Sequence, residues 1–297
     1  MITFNVKPLQ RFSLFCCLTI VGLLLTGLLS QFLLGSEVNA TRLNIVTVVQ
    51  DVLLFIMPAI LTAVIITRQP AEYLQIDKKL TGVGVVLVVG TLIASIPVMN
   101  VIIDWNKNLQ LPASMAAFES WMRQAEDAAN EMLKTMMGES TVISLIVSIL
   151  TMGIMAGLAE ELFFRGGVQR LLVTARVNKH VAVWATAVLF SAIHFQFYGF
   201  VPRMLLGAFF GYLCVWSGSL WYSVIAHCFN NIMACVTMWL VERGVVGTEI
   251  DSFGSDISSV YDIWCLVCSM VFTVWLMRNT YRLFKWLRTD TGDLQGK

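Results

Sequence analysis

Two adjacent carboxylates and an arginine, Glu160, Glu161 and Arg165, close a stretch that is otherwise apolar from residue 141 to 164. Inside a hydrocarbon-length segment such charges are costly unless they are paired or face a wet cavity, so they mark a candidate site. On a helix Glu161 and Arg165 are i and i+4, acid before base, the favourable order for an ion pair. Glu160 projects about 100° away from that pair. It is therefore the carboxylate left free for general-base chemistry. Two later apolar runs carry the remaining candidates. Phe190-x-x-x-His194 sets an aromatic ring and an imidazole on one face of the fifth run, and His227-x-x-x-Asn231 sets an imidazole and an amide on one face of the seventh. Either histidine alone reads as a satisfied core residue; beside the acid pair, both read as parts of a site. His180 lies in a basic loop and is assigned no role.

The elements that must position these groups are membrane helices. Of 297 residues 57% are hydrophobic and 13% charged, far below the roughly 25% charged of soluble domains. Apolar runs long enough to cross a bilayer of about 30 Å cover residues 12–34, 43–67, 80–103, 141–164, 182–197, 204–216, 221–241 and 258–277. The expectation is an all-α polytopic membrane protein of about eight transmembrane helices. It divides into three N-terminal spans (1–103), an amphipathic connection (104–140), a core (141–241), and a last span with a basic tail (242–297). Fourteen of the 20 Lys and Arg fall on one side when both termini are inside, so the positive-inside rule favours cytoplasmic termini in a cell (inner) membrane. The apolar run before Val38-Asn39-Ala40 exceeds a signal-peptide core and reads as an anchor.

Several features read as structure. In the connection, Phe118, Trp121, Met122, Ala125, Ala129, Met132, Leu133 and Met136 repeat at three and four, an amphipathic helix expected to start at an Ser114 cap. Its polar face is slightly acidic, which argues for packing on the outer surface over lipid seeking. Gly153 and Gly157, with Gly207 and Gly211, form small-xxx-small stripes for close helix approach, so Glu161 and Arg165 are expected to face protein. Asp51, in the second span, has no histidine or second acid at helical spacing and reads as a residue bonded between helices or near headgroups. Pro58 and Pro97 interrupt two spans and are expected to kink them. The seven cysteines fall in spans and suggest no disulfide framework; Cys265-x-x-Cys268 reads as helix surface. Nothing points to nucleic acid.

As a set, Glu160-Glu161-x-x-x-Arg165, Phe190-x-x-x-His194 and His227-x-x-x-Asn231 resemble the CPBP family of intramembrane proteases, which includes the type II CAAX prenyl endopeptidases and immunity-type proteins. The resemblance covers about residues 141–241. It implies a CAAX prenyl endopeptidase-like bundle that hydrolyses a membrane-embedded or lipid-anchored peptide or protein among membrane lipids. Carried onto this chain, Glu160 with His194 activates a water, His227 with Asn231 holds the oxyanion, and Glu161 and Arg165 support them. Glu160, His194 and His227 also match a catalytic zinc set with an open position. Against a tightly bound zinc, Glu160 as ligand would leave Glu161 as base, and Glu161 is committed to Arg165. The alternatives are a catalytically silent scaffold or immunity protein, and a proton-coupled transporter, whose usual matching repeats of broken helices are not found. By residue count Glu160 and His227 lie near the inner surface and His194 deeper, a mismatch that a longer fourth helix would remove.

Overall fold

The computed structural model describes residues 7–35, 38–247, 253–254 and 259–294. The parts of the basic tail and last connection outside these ranges, including the final three residues, lie outside the described residues. Among the described residues there is no strand, and the main helices are α1 (Pro8–Leu34), α2 (Ala40–Ile66), α3 (Gly82–Lys107), α4 (Ala116–Met137), α5 (Val142–Thr174), α6 (Lys179–Ala192), α7 (Phe200–Ser217), α8 (Leu220–Glu242) and α9 (Val260–Leu294). Seven are long and apolar enough to cross a membrane. The eighth expected span is α6, whose 14 residues rise about 21 Å. The chain is thus an all-α, multi-pass membrane protein.

Side chains set the starts of these helices. Asn39, Thr81, Asn178 and Ser219 each accept a hydrogen bond from a first-turn amide, supplying partners that the helix itself lacks there. Asn39 thus opens α2, and α1 packs directly on that helix. A Cβ on Gly22 of α1 would stand 2.1 Å from the Leu53 carbonyl oxygen of α2. Thr141 and Ser144 form a reciprocal cap on α5. The expected Ser114 cap is not used: Ser114 sits in a 3-10 turn, Ala113–Met115, and α4 begins at Ala116 without a side-chain cap.

Three stretches of π-helix interrupt the spans, Asp51–Ile56 in α2 and Ile149–Met155 and Leu162–Gln169 in α5. Such wide turns are rare and concentrate at functional sites. The one in α2 runs up to Met57-Pro58, so Pro58 enters the first turn of regular helix beyond it. Helix α5 continues well past Phe164 to Thr174, which corrects the expected end at 164 and places Glu160 near the middle of the helix.

The aromatic core of the bundle lies on the inner face of α5. Phe163 and Phe164 pack against Phe15, Phe55 and Phe190 with ring centroids 4.9 to 6.4 Å apart. A second cluster joins α3, α7, α8 and α9 around Phe210, Leu213, Tyr222 and Phe284, with the Thr81 amide donating to the Tyr222 hydroxyl at 2.8 Å. Helix α4 lies across the 197–199 turn. Phe118 meets Phe197 edge-on at 6.3 Å and Trp121 packs on it tilted at 5.2 Å, Arg123 sits over the Tyr198 ring, and Glu126 accepts from the Tyr198 amide.

Candidate active site

Helix α5 supplies the acids, α8 one imidazole, and the turn after α6 the other. Glu161 and Arg165 are sealed from solvent, with side chains 0% exposed and Arg165 Nη1 2.5 Å from Glu161 Oε1. The expected ion pair is therefore present and faces protein. Arg165 also donates to the Gly207 carbonyl at 2.7 Å, and one turn on Gln169 donates to the Gly211 carbonyl at 3.1 Å. The guanidinium lies 5.0 to 6.0 Å from the rings of Phe164, Phe190 and Phe210, where a cation is attracted to the ring faces.

Glu161 has more partners than its arginine. His227 Nδ1 is 2.8 Å from Glu161 Oε1, and Ser223 Oγ is 2.5 Å from Oε2. An ionised carboxylate only accepts, so a hydrogen sits on His227 Nδ1 and its Nε2 faces away from Glu161. This arrangement fixes the ring in one orientation, as a carboxylate does for a catalytic or metal-bound histidine. Phe210 stacks on the same ring at 5.0 Å and Phe190 meets it edge-on at 5.6 Å.

Glu160 occupies the position left by this network. Its side chain is 15% exposed, its Oε2 stands 3.7 Å from His227 Nε2, and that oxygen has no hydrogen-bond partner. The close approach of α5 and α8 depends on the expected small-residue stripe: a Cβ on Gly157 would stand 2.9 Å from Cys228 Sγ and 3.2 Å from the Cys228 amide nitrogen, and one on Gly153 would stand 2.9 Å from Ile232. On α7, a Cβ on Gly207 would stand 3.0 Å from Phe190 and one on Gly211 2.6 Å from Gln169 Oε1.

His194 is not on the face of a helix with Phe190, as the spacing suggested. Helix α6 ends at Ala192 and Ile193 caps it. Phe195 then turns with a φ of 53°, a left-handed conformation that stops helix propagation. The two side chains remain neighbours, because His194 Nδ1 lies 2.7 Å from the Phe190 carbonyl oxygen and the rings are 5.0 Å apart. By residue count the extension of α5 brings Glu160, 14 residues before its end, level with His194, 14 after His180 in the first turn of α6, while His227 lies 7 residues after Leu220 at the start of α8.

Asn231 follows His227 by one turn and donates to the Met152 carbonyl at 3.2 Å, within the first π-helical stretch of α5. That contact engages one of its two amide hydrogens. Asp51 differs from its sequence reading. It is 1% exposed, Oδ2 has no hydrogen-bond partner, and it opens the stretch of α2 that packs against the Ala156–Glu161 turn of α5. That oxygen makes none of the hydrogen bonds expected between helices. Sequence reasoning did not place Ser223 beside Glu161 or Asp51 on the segment packed against the acid pair. Ser223 carried a readable signal, four residues before His227 on the same face, whereas Asp51 comes to that segment only through the packing of α2 on α5.

A metal set was an open reading of Glu160, His194 and His227. Among the described residues no group of three or more His, Cys, Asp or Glu is placed to hold a metal ion. The seven cysteines are free, and Cys265 and Cys268 are exposed on α9 as expected.

Residues 142–233 match the family model described as type II CAAX prenyl endopeptidase Rce1-like. No curated protein and no solved structure matches the chain. The matched segment starts with α5 and ends two residues past Asn231, so it contains each acid, histidine and amide of the expected motifs. Over residues 142–233, then, the chain is similar to the type II CAAX prenyl endopeptidase Rce1-like family.

Proposed function

We propose that the chain is an intramembrane endopeptidase that hydrolyses a peptide bond of a membrane-embedded or lipid-anchored substrate through a water activated by Glu160. The family supports peptide hydrolysis on membrane-associated proteins in general. The observation that carries the finer reading is the division of labour between adjacent carboxylates. Glu161 is sealed by Arg165, His227 and Ser223, while Glu160 keeps an unpartnered oxygen beside His227 Nε2.

In this reading Glu160 takes a proton from water, and the water oxygen attacks the carbonyl carbon of the scissile bond. His194, held beside Phe190, is assigned the orientation of that water. The oxyanion then accepts hydrogen bonds from the free Asn231 amide hydrogen and from His227 Nε2–H. With Nδ1–H already given to Glu161, His227 can donate from Nε2 only as an imidazolium, and the Glu161 carboxylate stabilises that charge. Glu160 returns its proton to the departing amine, and the carbon–nitrogen bond breaks. No step passes through a metal.

The test is a comparison of membrane proteomes from cells carrying the wild type and Glu160→Gln. A membrane peptide or anchored protein whose cleavage disappears in the variant supports the proposal. Unchanged cleavage throughout, with both proteins present at equal level, overturns it.

A further inference from the structure

The second span contributes a group that the motifs do not include. Asp51 begins the π-helical stretch Asp51–Ile56, and this stretch packs directly against the Ala156–Glu161 turn of α5. At 1% exposure, Asp51 is as buried as Arg165. Unlike Arg165 it has no opposite charge at ion-pair distance among the described residues, and its Oδ2 has no hydrogen-bond partner. Glu160 across the helix contact is in the same condition, with an unpartnered Oε2.

Two carboxylates buried on helical segments packed against each other are strongly disfavoured from both carrying a charge. A buried polar oxygen without a partner also costs about 1 to 3 kcal/mol. One hydrogen between the two groups removes both penalties. Glu160 is the member with an imidazole nearby and with some exposure, so it is the one better able to hold the negative charge. Asp51, sealed among apolar side chains, is the one better able to hold the hydrogen.

We propose that Asp51 is a positioning residue of the active site, donating a hydrogen bond from its carboxylic acid to Glu160 and so holding that carboxylate toward the substrate. The inference rests on the proposed role of Glu160. It gives α2 a direct part in the chemistry, although this helix lies outside the matched domain. It also accounts for the π-helical stretch, since the widened turn begins at Asp51.

Asparagine keeps a donor at this position and leucine removes it. Purified wild type, Asp51→Asn, Asp51→Leu and Glu160→Gln, reconstituted in phospholipid vesicles, are compared in two measurements. The first is infrared spectroscopy of the protonated-carboxyl region, which needs no substrate. A band present in the wild type, lost in Asp51→Asn and shifted in Glu160→Gln is expected; a spectrum unchanged by Asp51→Asn overturns the proposal. The second is turnover of an internally quenched prenylated peptide, or of a substrate found by the proteomic comparison. Asp51→Leu is expected to lower kcat by about 10²-fold with KM unchanged, the scale of loss for a misplaced catalytic group. Asp51→Asn should restore most of it. Should Asp51→Leu fail to fold, Asp51→Asn decides: a folded but inactive Asn variant overturns the proposal. If Glu160→Gln retains turnover, the underlying reading fails and Asp51 falls with it. If Glu160→Gln is dead while Asp51→Leu keeps full kcat, Asp51 alone fails.

Discussion

Glu160 and Glu161 are neighbours in sequence with opposite surroundings, and substitution should separate them. Glu160→Gln is nearly isosteric at a partly open position, so activity should vanish while thermal stability stays near wild type. Glu161→Gln should leave the Arg165 charge buried without its counter-ion and lower stability by about 3 to 5 kcal/mol, read as a fall in the midpoint of thermal unfolding. Equal loss of folding in both would contradict the division of roles. If Asn231 serves the oxyanion as proposed, Asn231→Ala should reduce kcat by about 10² to 10³ with little change in KM. Much of this was legible beforehand, because i and i+4 spacing on α5 and α8 fixes which side chains share a face. The link from Glu161 to His227 was not legible. Spacing placed the glutamate with its arginine and the imidazole with its amide, and only the seating of α5 on α8 through Gly157 and Gly153 joins the two pairs.

At the scale of elements, helix count and order followed from apolar run length, but helix ends followed from capping and turn geometry. Helix α5 runs to Thr174 because Gly166 and Gly167 are carried within a π-helical stretch instead of ending the helix. Helix α6 stops before His194 through a left-handed Phe195, a residue type that gives no such warning in sequence. The contact of α5 with α8 offers a sharp test. Gly157→Ala brings a methyl group within 2.9 Å of Cys228 Sγ and 3.3 Å of its Cα, so the helices must part and carry His227 away from both acids. Activity should fall steeply, and stability should drop by about 1 to 3 kcal/mol. Gly27→Ala, where nothing lies within 4 Å, should leave both unchanged. Trp121→Ala removes the 5.2 Å ring contact with Phe197 and should raise amide exchange across residues 193–199, measured by hydrogen–deuterium exchange.

For the whole molecule, the distribution of Lys and Arg gives the expected orientation, with both termini inside. In a background without the seven cysteines, single cysteines placed between residues 114 and 138 should react with an impermeant reagent from outside. Those placed between 170 and 179 should react only from inside; the reverse pattern would overturn the orientation. Purified active protein should retain its turnover after chelation. One equivalent of zinc in active protein, lost together with activity in His227→Ala, would replace the proposed oxyanion role with a metal centre.

The brevity of α6 has a consequence for water supply. At about 21 Å against a hydrocarbon thickness of about 30 Å, this helix leaves the wall of the bundle about 9 Å low on the side where His194 sits. A turn, two irregular residues and a single 3-10 turn follow at residues 193–199, and lipid tails offer their free backbone groups no hydrogen bonds. Protein does: Asn106 bonds the Phe197 carbonyl and the Val201 amide, Arg203 bonds the Gln196 carbonyl, and Glu126 bonds the Tyr198 amide. With α4 laid over this notch, the polar groups of the rim are partnered and covered by protein. The proposed hydrolysis consumes one water per bond cleaved, and this polar rim is the side from which that water is expected to enter.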